Sequence, residues 1–176
     1  MGDIEPDTKD WTWVTREPCP DCGFDALTVE PAEVSTRIRA DAQAWPGRLN
    51  VASATRRPAP DVWSVLEYGC HVRDVHRIFD HRVRLMLTQH DPSFPNWDQN
   101  ETAIANDYAS QSPDVVAGEL LEAASTVANT YDTVPDDGWS RRGFRGNGSE
   151  FTVSSIALYH LHDIVHHAWD VDPQQR

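Results

Sequence analysis

No run of apolar residues in this 176-residue chain is long enough to cross a bilayer. The acidic start, Met1-Gly2-Asp3-Ile4-Glu5, has neither the basic residues nor the apolar stretch of a secretory signal. These absences predict a cytoplasmic protein with no membrane role. Positive charge is scarce as well: 15 Lys and Arg stand against 28 Asp and Glu, a formal charge of −13. Nucleic-acid binding depends on cations that neutralise phosphates, so nucleic acid and anionic lipid are excluded as expected partners. The excess of acid serves solubility.

Three cysteines do not make a disulfide framework. Cys19 and Cys22 form a Cys-Pro-Asp-Cys pair, and Cys70 stands alone. In a cytoplasmic chain such a pair points to metal or redox chemistry rather than to a staple. A cysteine zinc site needs further ligands, however, and no second cysteine pair supplies them. The role of Cys19 and Cys22 stays open on this reading, with small half-buried thiols as the plainer account. Internal repeats, low-complexity segments and the period-two alternation of strands are missing too.

What the chain has is helical periodicity and seven Trp to fill a core. Its length fits one domain. Residues 1–32 read as an irregular N-terminal arm, rich in Asp, Glu and Pro, pinned to the body by Trp11, Trp13 and Phe24. Residues 33–176 form that body. A first helix is expected over 32–49, breaking near Pro46-Gly47. A second runs over 62–89 with Asp61 as N-cap. Its apolar stripe comprises Val65, Tyr68, Val72, Val75, Phe79, Val83 and Met86. A long connection over 90–97 and a minor helix over 102–110 follow. Ser112 caps a third long helix with Pro113 at its first position, extending to about residue 133. After a Gly- and Arg-rich loop, the last helix starts near Thr152 and ends before Asp172. The fold class is all-α: a four-helix bundle with long crossover connections. Such bundles build metal sites in the core from side chains on facing helices.

Eight histidines require geometry to choose among them. His162 and His166 lie one turn apart, and side chains at that spacing share a helix face. At 100° per residue, Leu158, Leu161, Val165 and Trp169 form the buried stripe of the last helix. His162 and His166 then fall on its flank, while His160 and His167 point toward solvent. A third imidazole from the second helix would complete a three-ligand site with an open position, as in catalytic zinc. His71 lies at the edge of that helix's stripe and His76 nearer its centre, whereas His81 points away; periodicity does not choose between the first two. The plainer reading of any one of these residues is a hydrogen-bonded packing histidine.

At these residues the chain resembles the DinB/YfiT-like superfamily. The likeness rests on the second-helix run from Trp63 through Glu67, Tyr68 and His71 to Asp74. It continues from Phe151 through Tyr159, His162, Asp163 and His166 to His167. It covers residues 33–172. In that family a helix-borne His joins a His-x-x-x-His pair to bind a divalent metal, which implies His71, His162 and His166 here. The arm resembles those of actinobacterial members. Relatives that use low-molecular-weight thiols, the mycothiol-dependent maleylpyruvate isomerase and the bacillithiol transferases among them, imply a metal that activates a thiol for transfer or isomerisation.

The expected cofactors are therefore one divalent ion, zinc first and nickel or iron as alternatives, and a thiol such as mycothiol. Arg141, Arg142 and Arg145 form a positive patch in an acidic protein and could clamp a carboxylate of that thiol or of an acidic substrate. Asp74 and Asp163 are candidate acceptors that orient ligand imidazoles. A metal-dependent thiol S-transferase is the leading expectation. The alternatives are a metal-dependent hydrolase and a non-enzymatic, metal-stabilised stress-response or binding protein. The family likeness also makes a homodimer plausible.

Overall fold

Side-chain caps open the helices that follow Ser64, Asp98 and Thr152. The computed structural model describes Ile4 and residues 9–172, so Met1 to Asp3, residues 5–8 of the expected arm and residues 173–176 lie outside the described residues. Helix α1 spans Val34–Ala42 and α2 spans Trp45–Leu49. The break in the first expected helix thus falls at Gln43-Ala44. Pro46 sits in the first turn of α2, where its missing N–H is harmless. Helix α3, Val65–Thr88, begins at Ser64 rather than Asp61. The Ser64 hydroxyl accepts from the Glu67 N–H, and the Glu67 carboxylate accepts from the Ser64 N–H at 2.8 Å. This reciprocal cap contributes about 1 kcal/mol.

Helix α4 occupies Gln99–Ala105, capped by Asp98, followed by a short 3-10 turn at Tyr108–Ser110. Helices α5, Pro113–Asp132, and α6, Val153–Asp170, close the chain. Helix α1 packs against α5 and α6, and α3 packs against the same two. Helices α1 and α3 are therefore diagonal partners, as are α5 and α6, and the α1-to-α3 and α5-to-α6 connections must cross the bundle. Long crossover connections follow from that arrangement. None of the described helices is long and apolar enough to span a membrane.

A small sheet departs from the all-helical expectation. It orders β1 (Ser93–Phe94), β2 (Arg142–Arg145) and β3 (Glu150–Thr152), with β1 parallel and β3 antiparallel to β2. Strands of two to four residues are too short to display alternation. Gly143 lets the sheet close on α3: a Cβ there would lie 2.7 Å from Met86 Cγ and 2.9 Å from a Phe94 ring carbon.

The buried face of α6 is turned relative to the expected stripe. Val153, Ala157, His160, Leu161, Ile164 and Ala168 are buried, whereas Leu158 and Val165 are only partly so. His160, expected to face solvent, is fully enclosed. It turns into the bundle, where Phe79, His76 and Tyr131 enclose it. Trp11 packs on the rings of His162 and His166, and Phe24 packs on His162, so the outer face of α6 is covered as well. A helix apolar around most of its circumference offers no phase to a periodicity argument.

Inside the bundle, His76 Nδ1 lies 3.0 Å from His160 Nε2, and His160 Nδ1 lies 3.2 Å from the Tyr131 hydroxyl. Burial pushes His76 from its ordinary 6.5 down to about 3, so it is neutral in the folded chain. Unfolding restores the higher value. Between pH 6.5 and 3 the unfolded state then binds the extra proton, and stability falls as pH falls. Each pH unit in that window should cost roughly 1 kcal/mol for this group. Melting curves across the window should show the slope, and His76→Gln should make it shallower, with the other depressed histidines, His160 and His162 among them, keeping the remainder.

Candidate metal centre

Helix α6 carries two interleaved pairs at four-residue spacing, His162 with His166 and Asp163 with His167. Neighbouring residues on a helix are turned about 100° apart, so the two pairs cannot serve the same point. One pair faces α3 and the other faces the arm.

The α3-facing set is His71, Asp163 and His167, whose ligand atoms all lie within 4.8 Å of one another. His71 Nε2 is 3.5 Å from Asp163 Oδ1, and His167 Nε2 is 3.6 Å from the same oxygen. Ligands around one zinc ion at ordinary bond lengths stand roughly 3.3–3.5 Å apart, so the observed spacing fits a shared cation. His71 is completely buried, stacked on Trp97 at 5.1 Å with Trp63 at 5.4 Å. Neither of its ring nitrogens, nor Asp163 Oδ1, has a well-formed hydrogen bond. Buried polar atoms without partners are costly. Two imidazoles and a carboxylate converging in this way suit a divalent ion.

Electrostatics agree with the geometry. Burial pushes His71 below its ordinary pKa, which keeps it neutral and able to donate a lone pair. Burial alone would raise Asp163, but the imidazoles of His71 and His167 beside it hold its carboxyl well below the carboxylate range. Asp170 Oδ2 accepts from His167 Nδ1 at 2.8 Å, which directs the Nε2 lone pair toward Asp163.

The arm-facing set is Cys19, Cys22, His162 and His166, again with ligand atoms mutually within 4.8 Å. The structure thus divides the trio implied by the family likeness. His162 and His166 stay together but turn to the two thiols, and His71 joins Asp163 and His167 instead. Asp163 is drawn into the α3-facing set rather than standing behind one. Asp74 is engaged elsewhere, with Arg73, Arg77 and the Tyr108 hydroxyl. His76 is paired with His160. The sequence signal for the α3-facing set is the Asp163-x-x-x-His167 pair, one position along from His162-x-x-x-His166. The fold sets that histidine pair beside Cys19 and Cys22, which a second cysteine pair does not accompany.

A cavity of about 620 Å³ opens over this region. His162, Asp163, His166, His167 and Asp170 all line it, with the aromatic walls Trp11, Trp63 and Trp97. Arg82 and Arg145 also line it. Burial lowers Arg82 to about 10, still a cation at neutral pH. Of the three arginines marked in the sequence, only Arg145 reaches the cavity. Arg141 donates to the Met86 and Gln89 carbonyls at the end of α3, and Arg142 pairs with Asp91. Neither is placed to clamp a ligand there.

Comparisons with known proteins bear on the same region. The DinB superfamily model matches residues 36–171. YfiT from Bacillus subtilis is similar in structure, with a TM-score of 0.67 at 18% identity over 79% of this chain and 81% of its own. That protein is described as "a probable metal-dependent hydrolase with an unusual four-helix bundle topology". No curated protein matches the chain. Since Asp170 orients His167, Asp170→Ala should weaken binding of a divalent ion by about 10- to 100-fold, read by competition with a chromophoric chelator.

Proposed function

Because the chain belongs to the DinB superfamily, and because three ligand atoms converge beside an open cavity, we propose that it is a metal-dependent hydrolase. Its metal site is His71, Asp163 and His167, and its substrate is a small molecule with an anionic group. The observation that carries this reading is the pair of short contacts from His71 and His167 to one Asp163 oxygen, with that oxygen and both His71 nitrogens left without hydrogen bonds. The likeness to YfiT supports the same class of chemistry. A divalent ion held by three protein ligands supplies a Lewis acid that lowers the pKa of a bound nucleophile and polarises the group under attack.

The chain's own residues do the rest. Asp170 fixes the His167 tautomer through Nδ1. Trp63 and Trp97 enclose the His71 ring and keep water from it. Arg82 and Arg145 present fixed positive charge to the cavity, suited to a carboxylate or phosphate on the substrate. Arg145 is itself held in place by Asn147 and Ser149, which limits the entropy lost when it takes up a ligand.

The same ligand set could lower the pKa of a small thiol, the activity that the family likeness first implies, and Arg145 could take a carboxylate of that cofactor. A panel of chromogenic esters, lactones and phosphodiesters, run with zinc, nickel or iron and with or without a mycothiol-type cofactor, separates the two. Hydrolysis should proceed without thiol. Asp163→Asn and His167→Ala should each lower kcat/KM at least about 100-fold, and Arg145→Ala should act mainly by raising KM for anionic substrates. Turnover that requires thiol would replace hydrolysis by transfer. No turnover in either arm, despite full metal loading, would make the ion structural or sensory.

A further inference from the structure

Nothing in the proposed reaction uses Cys19, Cys22, His162 or His166, yet these four side chains form the second convergent set. We propose that they bind a second metal ion, a closed Cys2His2 zinc site that fastens the N-terminal arm to α6. The spacing is that of a structural zinc centre: Cys19-x-x-Cys22 on a turn and His162-x-x-x-His166 on a helix. Zinc bonded to two thiolates and two imidazoles at ordinary lengths separates its ligands by roughly 3.3–3.8 Å. Cys19 Sγ stands 3.6 Å from His166 Nδ1, inside that range.

The surroundings are built for it. Both cysteines are free thiols, with Cys19 buried and Cys22 half-buried. Cys19 accepts from the Gly23 N–H through its carbonyl and donates its own N–H to the Phe24 carbonyl. Gly23 takes a left-handed φ of +72°, which turns the chain sharply after Cys22. His162 is 4% exposed, and its buried Nε2 has no hydrogen-bond partner. Asp170 Oδ1 lies 4.0 Å from His166 Nε2, on the far side of that ring from Cys19. All four coordination positions would be filled by protein, so this site has no room for substrate. Two thiolates and two neutral imidazoles cancel the charge of the ion, which suits burial under Trp11 and Phe24.

The consequence reaches the cavity. Lys9, Asp10 and Trp11 form part of its wall, and they belong to the arm that the zinc would clamp. His162 and His166 line the cavity as well, so the second site, with its four coordination positions filled by protein, would shape the wall without binding substrate.

Cobalt substitution tests the assignment on the intact chain. The Co(II) form should show sulfur-to-metal charge transfer and intense tetrahedral d–d bands. Both should persist in His71→Ala and vanish in the Cys19→Ser/Cys22→Ser double variant. Zinc-loaded wild type should hold two ions per chain by native mass spectrometry, and the double variant one. The double variant should also melt lower, by about 5 °C or more for a clamp worth a few kcal/mol. Should it fail to fold, the wild-type and His71→Ala spectra still decide. Absence of sulfur charge transfer in the folded, reduced, cobalt-loaded wild type would overturn the site. Loss of the sulfur-ligated ion in His71→Ala would also overturn it, since the four ligands would then not be independent of α3. A failed hydrolase assay would leave these spectra untouched, so the two proposals fall separately.

Discussion

The rotational setting of α6 is the constraint on which the rest depends. Turned as it is, the helix gives Ile156, His160, Leu161 and Ile164 to the bundle and Asp163 and His167 to the edge shared with α3. His162 and His166 go to the arm. A rotation by one residue, about 100°, would carry His162 and His166 to the edge shared with α3 and bring a different trio together. What holds the setting is packing on both sides: Phe79 stacks on His160 from α3 at 4.5 Å, and Trp11 lies 5.1 Å from the ring of His166. Close-packed interiors do not deform continuously, so the helix is held in one of few possible settings.

This constraint links polar chemistry to stability. The bundle buries His71, His76, His160 and His162, and they sort by role. His76 and His160 share one hydrogen bond in the core and remain neutral there, although His76 Nε2 is left without a partner. His71 is just as buried but has no protein partner with good geometry, and its nearest polar atom is a carboxylate oxygen in the same position. Unsatisfied polar atoms that also converge on one point, as those of His71 and Asp163 do beside His167 and His76 Nε2 does not, mark where an ion would return the energy lost on desolvation. The acidic surface plays no part in this choice; the few charges that matter are those enclosed.

Much of the fold was legible because long amphipathic helices announce themselves. The α3 stripe from Val72 through Val83 to Met86 is buried as its spacing implies, and Ser112-Pro113 opens α5 as expected. The short strands were not legible, since two to four residues carry no period. The exact ligand sets were not legible either, for a physical reason. Phase is read from the contrast between apolar and polar faces, and α6 has little contrast because the arm covers the face that would otherwise be wet. His160 and His167 escape solvent because both turn toward α3, where Phe79 stacks on His160 and His71 meets His167, so a single apolar stripe does not describe the buried side of the helix. The Cys-Pro-Asp-Cys turn left its role open in the sequence, because the histidines that the fold sets beside it lie more than a hundred residues away.

Anomalous diffraction at the zinc edge from crystals of the metal-loaded protein tests the central assignment most directly. The account predicts a peak within bonding distance of His71 Nε2, Asp163 Oδ1 and His167 Nε2, with His162 and His166 turned away from it. A peak ligated jointly by His71, His162 and His166 would contradict the setting of α6 and with it the division into two sites.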